Sequence, residues 1–158
     1  MIREMLGIAE GILQDLHNDH SEVAKLIDRI METNDAAERQ SLFTEMKTKL
    51  LAHSKAEEEV FYRRLETSGS QDSRNFVREA ANEHDSVERQ LQTMSAGDKV
   101  SDRWTAELTK LRDLVDHHVD EEESTGFSCA RDDFSKDELE AMAPRFEERK
   151  QELMLSIG

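Results

Sequence analysis

In four successive segments the apolar residues recur at steps of three and four, and each apolar stripe also carries a histidine. Leu13, Leu16, His20, Val23, Ile27 and Ile30 form the first stripe. Phe43, Met46, Leu50, His53, Glu57 and Val60 form the second, with Phe61 beside it. Phe76, Ala80, His84, Val87, Leu91 and Met94 form the third, and Trp104, Leu108, Leu111, Val115, His118 and Glu122 the fourth. This step is the period of one helix face. Turn signals part the segments: TND at 33–35, TSGSQD at 67–72 and SAGDKVSD at 95–102. Long helices on short connections pack as antiparallel neighbours.

The chain is therefore predicted to be all-α, an up-down-up-down four-helix bundle over about residues 3–126 with an additional C-terminal helix over about 135–155. A hydrophobic fraction of 36% against an equal charged fraction, with one proline and six glycines, agrees with long helices bearing solvated outer faces. No linker or low-complexity tract divides residues 1–158, which read as a single domain. The stretch STGFSCARDD (124–133) reads as a loop carrying Cys129, ahead of the fifth helix. Ser135 and Glu138 have the spacing of a capping box for that helix, and Pro144 is expected to kink or restart it.

The stripes settle the orientation of LVDHHVDEEES (114–124), where two histidines each have a glutamate four residues on. His118 and Glu122 continue the apolar face; His117 and Glu121 lie about 100° round the helix, on a flank. Each of the four helices thus sends a histidine inward, and the second and fourth add a glutamate one turn later. Burying one unpaired imidazole or carboxylate costs several kcal/mol, roughly. A single His-x-x-x-Glu match is weak evidence in so acidic a chain. Histidine on all four stripes is stronger, and a metal centre offers the compensation. Nitrogen and carboxylate donors suit iron, manganese or zinc. Two histidines per metal, Glu57 and Glu122 as bridges and a bridging oxide or hydroxide would leave each of two ions an open position.

A net charge of −15 repels phosphate backbones, so nucleic acid is not expected as a partner. No polybasic segment or membrane-spanning apolar run is present, so no membrane partner is expected either. The N-terminus lacks a signal-peptide core and Cys129 is the only cysteine, which makes the cytoplasm the expected location. Oligomeric state is left open by the acidic helix faces.

The pattern His20, His53-x-x-x-Glu57, His84, His118-x-x-x-Glu122 resembles the hemerythrin-like, or HHE cation-binding, domain. NDHSEVAKLI (18–27), HSKAEEEVFY (53–62), NEHDSVERQL (82–91) and HHVDEEESTGF (117–127) carry the likeness through the bundle. The resemblance implies a non-haem centre of two iron ions, oxo- or hydroxo-bridged, with His20, His53, Glu57, His84, His118 and Glu122 as metal ligands. It also implies a small diatomic or peroxide ligand, in sensing, storage or detoxification. The oxygen-carrying hemerythrins have a His-x-x-x-His pair on the third helix and an aspartate at longer spacing on the fourth. Here Glu88 follows His84 and Glu122 lies four residues after His118. Fewer histidines favour redox chemistry, sensing or peroxide breakdown over stable O2 carriage. The alternative is a metal-binding or helical interaction module without redox chemistry. No catalytic residue can be named from the sequence.

The remaining candidates read as peripheral. His17 lies about 60° from His20, and Glu88 about 40° from His84. Tyr62, the one tyrosine, lies about 140° from Glu57 and is expected at the edge of the centre. The other glutamates of the two EEE runs read as solvated, and Phe61 and Trp104 as core.

Overall fold

The computed structural model describes residues 10–157. The first few residues assigned to the bundle, up to residue 9, lie outside this range. Helix α1 is Ile12–Glu32. Helix α2 starts as Ala36–Glu57, passes through a π turn at Glu58–Tyr62 and resumes as Arg63–Ser68. Helix α3 is Gln71–Met94. Helix α4 starts as Asp102–Glu121, passes through a second π turn at Glu122–Gly126 and resumes as Phe127–Asp133. Helix α5 is Lys136–Ile157. The first four form the up-down-up-down bundle, and α5 packs along α1 and α2.

Side chains close orphan amides at the starts of α2 to α5. Asp35 accepts from the Glu38 amide at 2.8 Å, Ser70 from Ser73 at 3.2 Å and Ser101 from Trp104 at 3.1 Å. The capping box of α5 forms as read: the Ser135 amide donates to Glu138 at 2.9 Å and the Glu138 amide to Ser135 Oγ at 3.1 Å.

Two expectations fail. Residues 124–133 are helical, so Cys129 is a buried residue of α4 and not part of a loop. The small residues read there as breakers are absorbed by the π turn. Gly126 is needed for packing: a Cβ at that position would come within 2.5 Å of the Phe76 ring. Pro144 does not restart α5, which runs on through it. The carbonyl deprived of its partner belongs to Glu140, which is exposed, so water can satisfy it, while Leu139, Met142 and Phe146 anchor the helix on the bundle.

All the stripe residues named above are buried. They form two apolar clusters. One gathers Leu13, Leu16, Phe61, Leu65, Phe76 and Phe127 with the inner face of α5; the other gathers Val23, Ile27, Met46, Leu91, Trp104 and Leu108. Between them lies one polar layer, at the level of His20, His53, His84 and His118. Among the described residues no helix is long and apolar enough to cross a membrane.

Candidate metal centre

The polar layer brings together all six side chains singled out from the sequence, each less than a tenth exposed. Glu57 and Glu122 are fully buried and stand between the two histidine pairs. Glu57 Oε1 lies 3.6 Å from His53 Nε2 and 3.2 Å from His84 Nε2. Glu122 Oε1 lies 3.0 Å from His20 Nε2, and its Oε2 3.9 Å from His118 Nε2. One donor atom each from His20, His53, Glu57 and Glu122 falls within a 4.8 Å group, as does one each from Glu57, His84 and His118. The two groups share Glu57.

The outer nitrogen of every imidazole is held by an acid from a neighbouring helix. His53 Nδ1 donates to Asp19 at 2.8 Å, His84 Nδ1 to Glu58 at 2.6 Å, His118 Nδ1 to Glu83 at 2.7 Å and His20 Nδ1 to Glu123 at 2.7 Å. A carboxylate only accepts, so Nδ1 carries the hydrogen, and in the neutral ring Nε2 presents a lone pair inward. This backing fixes ring orientation and strengthens the donor.

A cation fits what these atoms lack. His20 Nε2, His53 Nε2, both oxygens of Glu57 and Oε1 of Glu122 are buried without a hydrogen-bond partner. Each such orphan costs about 1–3 kcal/mol. His84 Nε2 and His118 Nε2 meet at 3.1 Å. In the metal-free chain protons do part of the compensating work. Burial pushes the Glu57 carboxyl well above the usual range, reinforced by the charge of Glu122. Burial opposes ionisation of Glu122 too, but Glu57 and His20 hold it well below that range. Burial would lower His20, yet Glu122 and Glu123 raise it to about 9. His53 is pulled down to about 4 by burial, against the opposing pull of Asp19.

Tyr62 corrects the expectation that placed it at the edge. It is buried, and its hydroxyl donates to Glu122 Oε2 and lies 3.5 and 3.4 Å from Nε2 of His84 and His118. Burial, with the charges of Glu122 and Glu57, pushes the phenol well above its ordinary range, so it stays a donor. The π turn is the cause. The Arg63 amide bonds Glu58 O, five residues back, and such bonding stacks residues five apart on one face. Tyr62 is five residues after Glu57.

The acids Asp19, Glu58, Glu83 and Glu123 were not singled out from the sequence, and Glu58 and Glu123 read there as solvated. The available signal was adjacency: each is the immediate neighbour of an inward histidine or glutamate. His17 and His117 stay outside, exposed and paired with Glu123 and Glu83 at 3.0 and 3.2 Å. Glu88 and Glu121 are exposed. Trp104 belongs to the distant apolar cluster and donates to Met94 O. Burial pushes the Cys129 thiol up.

Beside the donors lies a cavity of about 20 Å³, walled by Val23, Leu50, Val87, Val115 and Val119. A larger cleft of about 500 Å³, lined by Phe76, Glu79, Glu83, Cys129 and Asp132 among others, contains none of the six donors.

Two known proteins are similar to this chain. A DNA nickase from Nostoc sp. is 30% identical over 147 residues, which is 92% of this chain and 41% of that protein. The chain therefore spans about two fifths of that relative's length. The crystal structure of a hemerythrin HHE cation binding domain-containing protein from Mycobacterium kansasii shares the fold, with a TM-score of 0.81 over 94% of this chain and 90% of that one, at 21% identity. The family described as the hemerythrin HHE cation binding domain matches residues 11–130. With a buried His/Glu cluster at the level where the four helices meet, that match marks the centre as a metal cation site, and the chain belongs to the hemerythrin HHE cation binding domain family.

Proposed function

We propose that His20, His53, Glu57, His84, His118 and Glu122 hold two iron ions, and that O2, nitric oxide or peroxide binds or reacts beside them. One observation carries this reading: two donor groups that share Glu57 adjoin a cavity of about 20 Å³. That space admits a molecule of about the size of water and little more. Imidazole and carboxylate donors suit iron. Iron, when bound, supplies redox chemistry and vacant positions for a small ligand. The chain's own residues do the rest. The four acids hold the imidazoles in register, and the valine wall limits water. Tyr62 holds a proton at its hydroxyl beside Glu122, within reach of a ligand.

Phosphodiester cleavage, suggested by the name of the Nostoc relative, fits this chain less well. A backbone phosphate cannot enter a cavity of about 20 Å³, and a net charge of −15 opposes DNA. Supercoiled plasmid incubated with the metal-loaded chain is expected to stay supercoiled.

The test is metal content, with near-ultraviolet and visible absorption before and after dithionite, on protein purified without a chelating tag. Two irons per chain with a band that bleaches on reduction support the proposal. Failure to take up iron even on anaerobic ferrous reconstitution, with zinc retained, overturns it in favour of metal binding without redox chemistry.

A further inference from the structure

The four carboxylates behind the imidazoles are not alike. Glu58, Glu83 and Glu123 have side chains 45%, 16% and 27% exposed, so water shares their charge. Asp19, behind His53, is 4% exposed, and both its oxygens face a buried ammonium. Lys150 Nζ lies 2.8 Å from Oδ1 and 3.1 Å from Oδ2. Glu123 and Glu83 also touch imidazoles, those of His17 and His117, but these are 51% and 66% exposed and screened by solvent. Lys150 is 7% exposed and stands on α5, where Glu147 supports it at 3.2 Å. One turn earlier on α5, the Phe146 ring meets His53 edge-on at 5.7 Å. The family match ends at residue 130, so both contacts come from beyond it.

A carboxylate behind an imidazole pushes charge through Nδ1–H to the inward nitrogen and tightens its grip on a cation. A carboxylate already matched by an ammonium does so less. We infer that Lys150 is a positioning residue that makes the two metal positions unequal: acting through Asp19 and His53, it weakens the position formed by His20 and His53 relative to the one formed by His84 and His118, so that the former fills last and empties first. This rests on the two-ion reading above.

The metal-free chain and its Lys150→Met variant are titrated with Co²⁺ against a competing chelator, while proton NMR follows the paramagnetically shifted imidazole Nδ1–H signals. The wild type is expected to bind two ions in separate steps. The His84 and His118 signals move in the first step, and those of His20 and His53 in the second. Lys150→Met is expected to tighten the second step by about tenfold or more and to leave the first almost unchanged. Lys150→Arg keeps the charge and should keep the wild-type gap; Lys150→Gln takes the place of the methionine variant if that one does not fold. A weaker second step in the neutral variant, equal shifts of both steps, or the reverse order of filling overturns the inference while leaving two ions in place. A wild type that binds fewer than two Co²⁺ defeats the two-ion reading itself, and this inference with it.

Discussion

Replacing Tyr62 with phenylalanine should cost the metal-free protein far more than the metal-loaded one. The ring would stay where it is, between the rings of Phe76 at 5.7 Å and His84 at 5.3 Å, so no cavity larger than one oxygen is created. What is lost is the hydroxyl's hydrogen bond to Glu122 Oε2, inside a fully buried carboxylate whose other oxygen already has no partner. A hydrogen bond to a charged group is worth about 1.5–3 kcal/mol, and here no water can replace it. With a urea m-value of about 2 kcal/mol/M, a loss of about 2 kcal/mol moves the unfolding midpoint down by about 1 M. Once cations take the Glu122 oxygens, the same deletion removes only a supplementary contact, and the loss should fall to under about 1 kcal/mol. The assay is urea unfolding by far-ultraviolet circular dichroism, on wild type and Tyr62→Phe, each chelator-stripped and each zinc-loaded. Equal losses in the two forms would refute the reasoning, because Glu122 would then depend on Tyr62 whether or not a cation is bound.

Three further outcomes follow from the same structure. Gly126→Ala gains about 1 kcal/mol of helix propensity but drives a methyl to 2.5 Å from Phe76 Cζ and 3.0 Å from Cε2, so overpacking of about 1–3 kcal/mol should leave a net loss, read as a lower thermal midpoint; a rise would show that the ring moves freely. Burial and the nearby charge of Glu147 raise Asp15 from 3.8 to about 6, so its ionisation opposes folding as pH climbs through that range; Asp15→Asn should stabilise the chain at pH 7 by about 1 kcal/mol after discounting for solvent, the gain vanishing below about pH 4 in denaturant melts across pH. Stripping the metals should lower the melting midpoint by roughly 10 °C for each ion held at a thousandfold excess over its Kd, and His53→Ala should erase one such increment; a midpoint indifferent to chelator would speak against a metal site.

The bundle was legible because burial and helix period act together over many residues: every stripe position from Leu13 to Glu122 lies inside. The six inward polar groups were legible for the same reason, since they occupy apolar positions of the same period. Tyr62 and Cys129 were not. Both were located by counting about 100° per residue or by reading small residues as breakers, and a π turn defeats both rules. One π turn follows the inward Glu57 and the other begins at the inward Glu122, and the extra residue each absorbs carries no composition of its own. Tertiary contacts go with both turns: Gly126 lets Phe76 approach, and the Tyr62 phenol reaches Glu122.

The four backing acids obey a rule that sequence alone could have tested. On α1 and α3 the acid precedes the histidine, as Asp19–His20 and Glu83–His84; on α2 and α4 it follows the glutamate, as Glu57–Glu58 and Glu122–Glu123. Neighbouring residues on a helix diverge by about 100°, and the sense of that rotation, viewed from one end of the bundle, reverses when the helix runs the other way. A step back on an up helix and a step forward on a down helix therefore turn the same way. All four acids point in one rotational sense, each across the seam to the next helix: Asp19 of α1 to His53 of α2, Glu58 of α2 to His84 of α3, Glu83 of α3 to His118 of α4, and Glu123 of α4 to His20 of α1. The ring closes because the bundle alternates. Shifting any one of these acids to the other side of its inward neighbour would send it to the wrong seam, leaving one imidazole free to turn and one carboxylate facing the helix before it.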